Sequence, residues 1–177
     1  MKLVLIGIQG AGKSTQGNML SEEMRIPYLS SGHIFREMSK EKTKLGRWLK
    51  ETLNAGLLIP DKETLEIIQE YLAKPEYDHG YILDGFPRTV PQAEVFQKGC
   101  DKAIFINVTD KEALWRISGR NTDRQDETLQ GIRKRIELFH SMTEPVIEYY
   151  RDRGMLLQVD GEKPVDEVFQ HILGHLK

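Results

Sequence analysis

Residues 7–14 read Gly7-Ile8-Gln9-Gly10-Ala11-Gly12-Lys13-Ser14 and match G-x-x-x-x-G-K-[ST] in full. A short apolar run, Leu3-Val4-Leu5-Ile6, precedes them, and a helical pattern follows. That strand–loop–helix context is what a phosphate cradle requires. Glycines let backbone N–H groups converge on an anion. The positive end of the following helix points at the same place. Lys13 supplies a charge for the β- and γ-phosphates, and Ser14 or Thr15 offers a hydroxyl to Mg²⁺. The expected ATP-phosphate residues are therefore Gly10, Ala11, Gly12, Lys13, Ser14 and Thr15. GTPases, ATPases, motors and small-molecule kinases share such a loop, so it names no reaction alone.

Phosphoryl transfer to a second phosphate needs a clamp on both partners, and guanidinium forks suit it. The chain offers Arg36, Arg88, Arg116, Arg120, Arg124, Arg133 and Arg135. Arg88 follows Asp84-Gly85-Phe86-Pro87 at the end of an expected strand, where α/β sheets bind ligands. Arg116 and Arg120 stand four apart, on one side of a helix. Arg124 and Arg135 would share a face if one helix ran through both. Asp84 at the strand tip is placed to hold Mg²⁺ through water.

The elements that must position these groups follow from the apolar pattern. Runs at 3–6, 81–83, 103–108 and 155–159 read as strands buried on both faces. Helical patterns at 13–24, 62–72, 91–96, 111–118, 128–151 and 165–173 alternate with them. The expected fold is α/β, with a central parallel sheet between helical layers. Residues 31–59 and 119–127 read as excursions from that core.

At 177 residues the chain suits one domain. A net charge of −2 gives no bulk attraction to nucleic acid or to an anionic membrane. The single cysteine, Cys100, cannot form an internal disulfide or a zinc site alone, and fits a reducing, cytoplasmic setting. The run at 3–6 is too short for a signal or a membrane span.

Several further segments resemble the adenylate kinase family of nucleoside monophosphate kinases, over essentially the whole chain. Residues 7–16 resemble G-x-P-G-x-G-K-G-T-Q, with Gln9 for Pro and Ser14 for Gly. Residues 29–36 resemble I-S-T-G-D-x-x-R, and Asp84-Gly85-Phe86-Pro87-Arg88-Thr89 with Gln92 resembles D-G-F-P-R-T-x-x-Q. Gly56-Leu57-Leu58-Ile59-Pro60-Asp61, Arg124-Gln125-Asp126-Glu127 and Asp160-Gly161-Glu162-Lys163-Pro164 resemble later family segments. The resemblance implies a P-loop three-layer fold, a monophosphate-binding insertion at about 30–59 and a very short lid at about 119–127. It implies reversible transfer from MgATP to AMP by a cytoplasmic monomer without structural zinc. Arg120 and Lys163 would complete the ATP site, and Arg116 would stack on its base. Arg36 and Arg88 would grip the AMP phosphate, while Arg124 and Arg135 bridge donor and acceptor. Ser31, Leu57, Leu58, Ile59, Gly85, Phe86, Pro87 and Gln92 would bind AMP. Lys13, Asp84, Arg88, Arg120, Arg124 and Arg135 form the expected catalytic set.

Three departures stand out. His33 replaces an acidic residue and brings a titrating group. Only Asn121-Thr122-Asp123 separate Arg120 from Arg124, so little lid remains to exclude water. Glu127 replaces the second Asp of R-x-D-D. Two other readings compete: a kinase for CMP, UMP or GMP, and a nucleotide-binding regulator with a weakened kinase site. Gln92 can donate and accept together, which suits an adenine edge.

Overall fold

A computed structural model describes residues 1–119 and 128–176. Five strands form one parallel sheet: β1 (Lys2–Ile6), β2 (Tyr28–Ser30), β3 (Tyr81–Asp84), β4 (Lys102–Asn107) and β5 (Leu156–Asp160). Their order is β2-β3-β1-β4-β5. Central β1 pairs Leu5 with Asp84 on one side and with Ile104 on the other. Alternation splits the core in two. Leu3 and Leu5 face one layer, and Val4 and Ile6 face the other. The first layer holds Leu20 of α1 (Lys13–Met24), Ala113 of α6 (Asp110–Ser118) and Ile172 of α9 (Val165–Leu176). The second holds Ile68 of α4 (Asp61–Leu72), Ala93 of α5 (Val90–Val95) and Tyr150 of α8 (Glu144–Arg151). Both faces are covered, which explains strands of nearly continuous apolar sequence.

Between β2 and α4 the chain leaves the sheet as α2 (Ser31–Ser39) and α3 (Lys44–Asn54). Ser30 caps α2 by accepting from the His33 amide, and Thr43 caps α3 by accepting from Gly46.

Two expectations need correction. Strand β2 is additional to the four apolar runs: three residues after Pro27 carry no such run, and β2 sits at the sheet edge. The helix expected over 128–151 is broken. It runs as α7 (Leu129–Leu138), widens into a π turn at Phe139–Thr143, and resumes as α8. Pro145 in the first turn of α8 explains the break, because its ring lacks an N–H and crowds the carbonyl a turn earlier.

Candidate active site

The phosphate loop joins β1 to α1. Gly10 and Gly12 have φ of 95° and 92°, a left-handed region that disfavours side chains. Gly12 caps α1 without a side-chain hydrogen bond, leaving first-turn N–H groups available to an anion. The Ala11 amide is already committed to the Ile8 carbonyl at 3.0 Å. Lys13 Nζ donates to the carbonyls of Gly7 (2.8 Å) and Ile8 (3.1 Å), and lies 4.0 Å from Asp84 Oδ1.

This loop forms one wall of a cavity of about 320 Å³. The opposite walls carry His33 and Arg36 from α2, Gly85, Pro87 and Arg88 from the loop after β3, and Arg135 from α7. All lie at the carboxyl end of the sheet, where open α/β sheets bind ligands. Arg88 Nε donates to the Gly85 carbonyl at 2.7 Å. Burial lowers the pKa of the Arg88 guanidinium; Asp84 opposes this, and Arg135 and Arg36 add to it. Three cations held this close to one another make a strong anion site. Arg135 reaches across the cavity, donating to Gln9 Oε1 (3.3 Å) and to the Leu53 carbonyl at the end of α3 (2.9 Å).

A small annex of about 30 Å³ adjoins it, lined by Leu57, Leu58, Ile59, Gly85, Arg88 and Gln92. That is far smaller than the main cavity and below the size of a purine site. Ser31 Oγ donates to the Gly85 carbonyl at 2.8 Å, and a Cβ on Gly85 would come within 2.6 Å of that hydroxyl oxygen. The Gln92 amide is engaged internally: Oε1 accepts from the Arg88 amide and Nε2 donates to Asp61 Oδ1, each at 2.8 Å.

Other expected residues do not line the main cavity. The Phe86 ring packs in the core, edge-on to Phe96, and does not face the cavity. Arg116 is held by Glu112 Oε1 (2.6 Å) and the Gly161 carbonyl (2.9 Å). Lys163 and Thr15 are exposed and line neither cavity, whereas Ser14 lines the larger one. Arg120 and Arg124 lie outside the described residues, as does all of the expected lid beyond Gly119. The helix bearing Arg135 starts at Leu129, behind a Thr128 cap, so the face counted through Arg124 has no continuous helix to carry it.

Two contributors escaped the sequence reading. Tyr28 donates its hydroxyl to Asp84 Oδ2 at 2.8 Å across 56 residues, and burial, then Asp84's charge, raises its pKa. Thr143 in the π turn donates to the Arg88 carbonyl at 3.0 Å. No local motif announces either.

The donor set fits Mg²⁺ held mainly by nucleotide phosphates and water. Asp84 Oδ1 is buried without a hydrogen-bond partner, and the Ser14 hydroxyl faces the same cavity. Among the described residues no group of three or more His, Cys, Asp or Glu side chains could hold a metal. One carboxylate beside a phosphate site is a common arrangement for this hard cation.

A P-loop on a parallel sheet, facing clustered arginines, is the arrangement of a phosphoryl-transfer protein. The family profile described as adenylate kinase matches residues 5–155. The chain is 37% identical to an adenylate kinase of Lachnoclostridium phytofermentans, covering 99% of this chain and 98% of that one. It is 34% identical to one of Caldicellulosiruptor bescii (98% and 97% covered) and 36% identical to one of Clostridium botulinum (97% and 96% covered). The chain belongs to the adenylate kinase family.

Proposed function

We propose that the protein transfers a phosphoryl group reversibly from MgATP to AMP, giving two ADP. Family membership and the relatives' shared name support this reading. The observation that carries it is a single cavity with Lys13 on one wall and Arg36, Arg88 and Arg135 on the other. A simple nucleotide binder has no use for the second group of cations. In this reading Lys13 and the amides of Gly10–Thr15 hold the donor phosphates. Arg36 and Arg88 hold the acceptor phosphate, and Arg135 spans the two. Arg120 and Arg124 close the site from the lid. Asp84 and Ser14 orient the water shell of the cation that MgATP brings, which neutralises developing charge. No side-chain base is required, because the acceptor is already an anion.

Residues from about 30 to 59 serve as the acceptor insertion, supported by Leu53 and Leu57–Ile59 bordering the annex. The annex must widen to admit adenine, so the insertion moves on binding. A cavity that gathers Lys13, Arg36, Arg88 and Arg135 within one chain supports a monomer. The lone cysteine is buried, with its thiol pushed up to about 12 by burial, and supports a cytoplasmic setting. Among the described residues no helix is long and apolar enough to cross a membrane.

A coupled assay of ADP formation from ATP with AMP, CMP, UMP and GMP tests the reading. AMP is expected to be the preferred acceptor, and Lys13→Met is expected to cut turnover by roughly 10²–10³ with the fold intact. A different preferred acceptor overturns the AMP assignment. No turnover with any acceptor supports a regulator instead.

A further inference from the structure

We propose that Tyr28, seated by Gly17, is a positioning residue that fixes the rotation of the Asp84 carboxylate so that one of its oxygens faces the phosphate loop. The inference rests on the reading of Asp84 as the carboxylate that meets the hydrated cation. Asp84 is the only carboxylate among the described residues lining the large cavity. A carboxyl group turns easily about its last torsion, where the rotamer wells are broad. Here the Tyr28 hydroxyl holds Oδ2 at 2.8 Å. Oδ1 is thereby left buried, without a hydrogen-bond partner, 4.0 Å from Lys13 Nζ. Strand register makes the bond possible. Tyr28 pairs with Ile82 and Ser30 with Asp84, so Tyr28 and Asp84 rise from one face of adjacent strands, two residues offset.

Gly17 explains how the ring gets there. It is buried within α1, a place where glycine is less favourable than alanine. A Cβ at this position would lie 2.4 Å and 2.6 Å from two carbons of the Tyr28 ring. The missing side chain is the space the ring occupies. Gly17 and Tyr28 therefore act as a pair, and Asp84 is what the pair orients.

The test uses the full-length protein and the variants Tyr28→Phe, Gly17→Ala, their combination and Asp84→Asn. Two quantities are read. One is the Mg²⁺ concentration giving half-maximal transfer. The other is the Kd for Mn²⁺ in the presence of the β,γ-imido analogue of ATP, measured from the electron paramagnetic resonance of free Mn²⁺. Tyr28→Phe keeps the ring and loses only the hydroxyl. It is expected to raise both quantities about 5-fold, the scale of one lost hydrogen bond, with the KM for AMP within about 2-fold. Gly17→Ala should do the same by displacing the ring. The double variant should go no further than either single change, because both break one link. If Asp84→Asn shifts metal dependence and the other variants do not, the Tyr28 inference fails and the Asp84 reading stands. If Asp84→Asn leaves both quantities unchanged, the Asp84 reading fails and takes the inference with it.

Discussion

Asp61 Oδ1 accepts hydrogen bonds from both Gln92 Nε2 and Thr89 Oγ1, each at 2.8 Å. Asp61 opens α4, and Thr89 caps α5. One carboxylate oxygen therefore ties the two helix starts that border the acceptor annex. It also orients the Gln92 amide, whose other end holds the Arg88 backbone. Gln92 and Arg88, the residues proposed to meet the base and the phosphate of AMP, thus belong to one hydrogen-bonded network.

That network makes Asp61→Ala an acceptor-side lesion. Losing hydrogen bonds to a charged group costs on the order of 1.5–3 kcal/mol. The KM for AMP is expected to rise roughly 10-fold while the KM for ATP stays within about 2-fold. Initial-rate kinetics with each substrate varied in turn provide the check. An equal rise in both constants would show general disruption instead.

Gly56 predicts a stability lesion on the same side. Its φ is 71°, and a Cβ there would lie 2.4 Å from the Gly131 carbonyl oxygen and 2.9 Å from the Gly131 Cα. Backbone at both sides cannot yield as a flexible side chain would. Gly56→Ala is expected to cost about 1–3 kcal/mol and lower the Tm by roughly 3–8 °C. Gly154 is the control, with φ of 66° and no heavy atom within 4 Å of the place a Cβ would take. Gly154→Ala carries backbone strain alone and should lower the Tm less. Equal losses would mean that contact with α7 contributes nothing.

Much of the fold is readable from the chain, and the rest is unreadable for identifiable reasons. The four strands with apolar runs and the phosphate loop are evident because burial on both faces and glycine spacing leave local marks. Helix α1 is legible to its ends for the same reason. Strand β2 leaves no such mark, since an edge strand of three residues borrows its order from β3. The π turn at Phe139–Thr143 is set by Pro145, but periodicity alone counts through it. The Tyr28–Asp84 and Asp61–Gln92 bonds are long-range pairings that one sequence cannot show. The Gln92 amide reads as free to meet a base because its two internal partners are invisible in the chain.

His140 gives a pH dependence. It lies in the π turn, with Nδ1 at 2.6 Å from Glu144 Oε1 and Nε2 at 2.9 Å from Asp110 Oδ1 at the start of α6. The hydrogen bond to Glu144 is the main cause raising its pKa; desolvation opposes it, and Asp110 adds to the rise. A raised folded pKa stabilises the fold fully below the unfolded value, about 6.5, and loses that contribution as pH rises through the folded value. His140→Gln should therefore lower the Tm at pH 6 by about 1–3 °C and leave it nearly unchanged at pH 8.5. The group is substantially exposed, which keeps the effect small. A larger deficit at pH 8.5 than at pH 6 would reverse the assigned sign.

The lid supplies the last prediction. Transfer to AMP rather than to water depends on excluding solvent when both nucleotides are bound. Three residues between Arg120 and Arg124 leave little chain to cover a cavity of about 320 Å³. With so little lid, closure here is expected to rest mainly on Arg120 and Arg124. Attacking water then competes with AMP for the γ-phosphoryl group. ADP formation from ATP without AMP should exceed both the enzyme-free rate and the rate of the Lys13→Met variant. The leak should also be greater than that of a long-lid adenylate kinase assayed beside it. An undetectable rate would mean that the short lid, with AMP absent, still keeps water from the γ-phosphate.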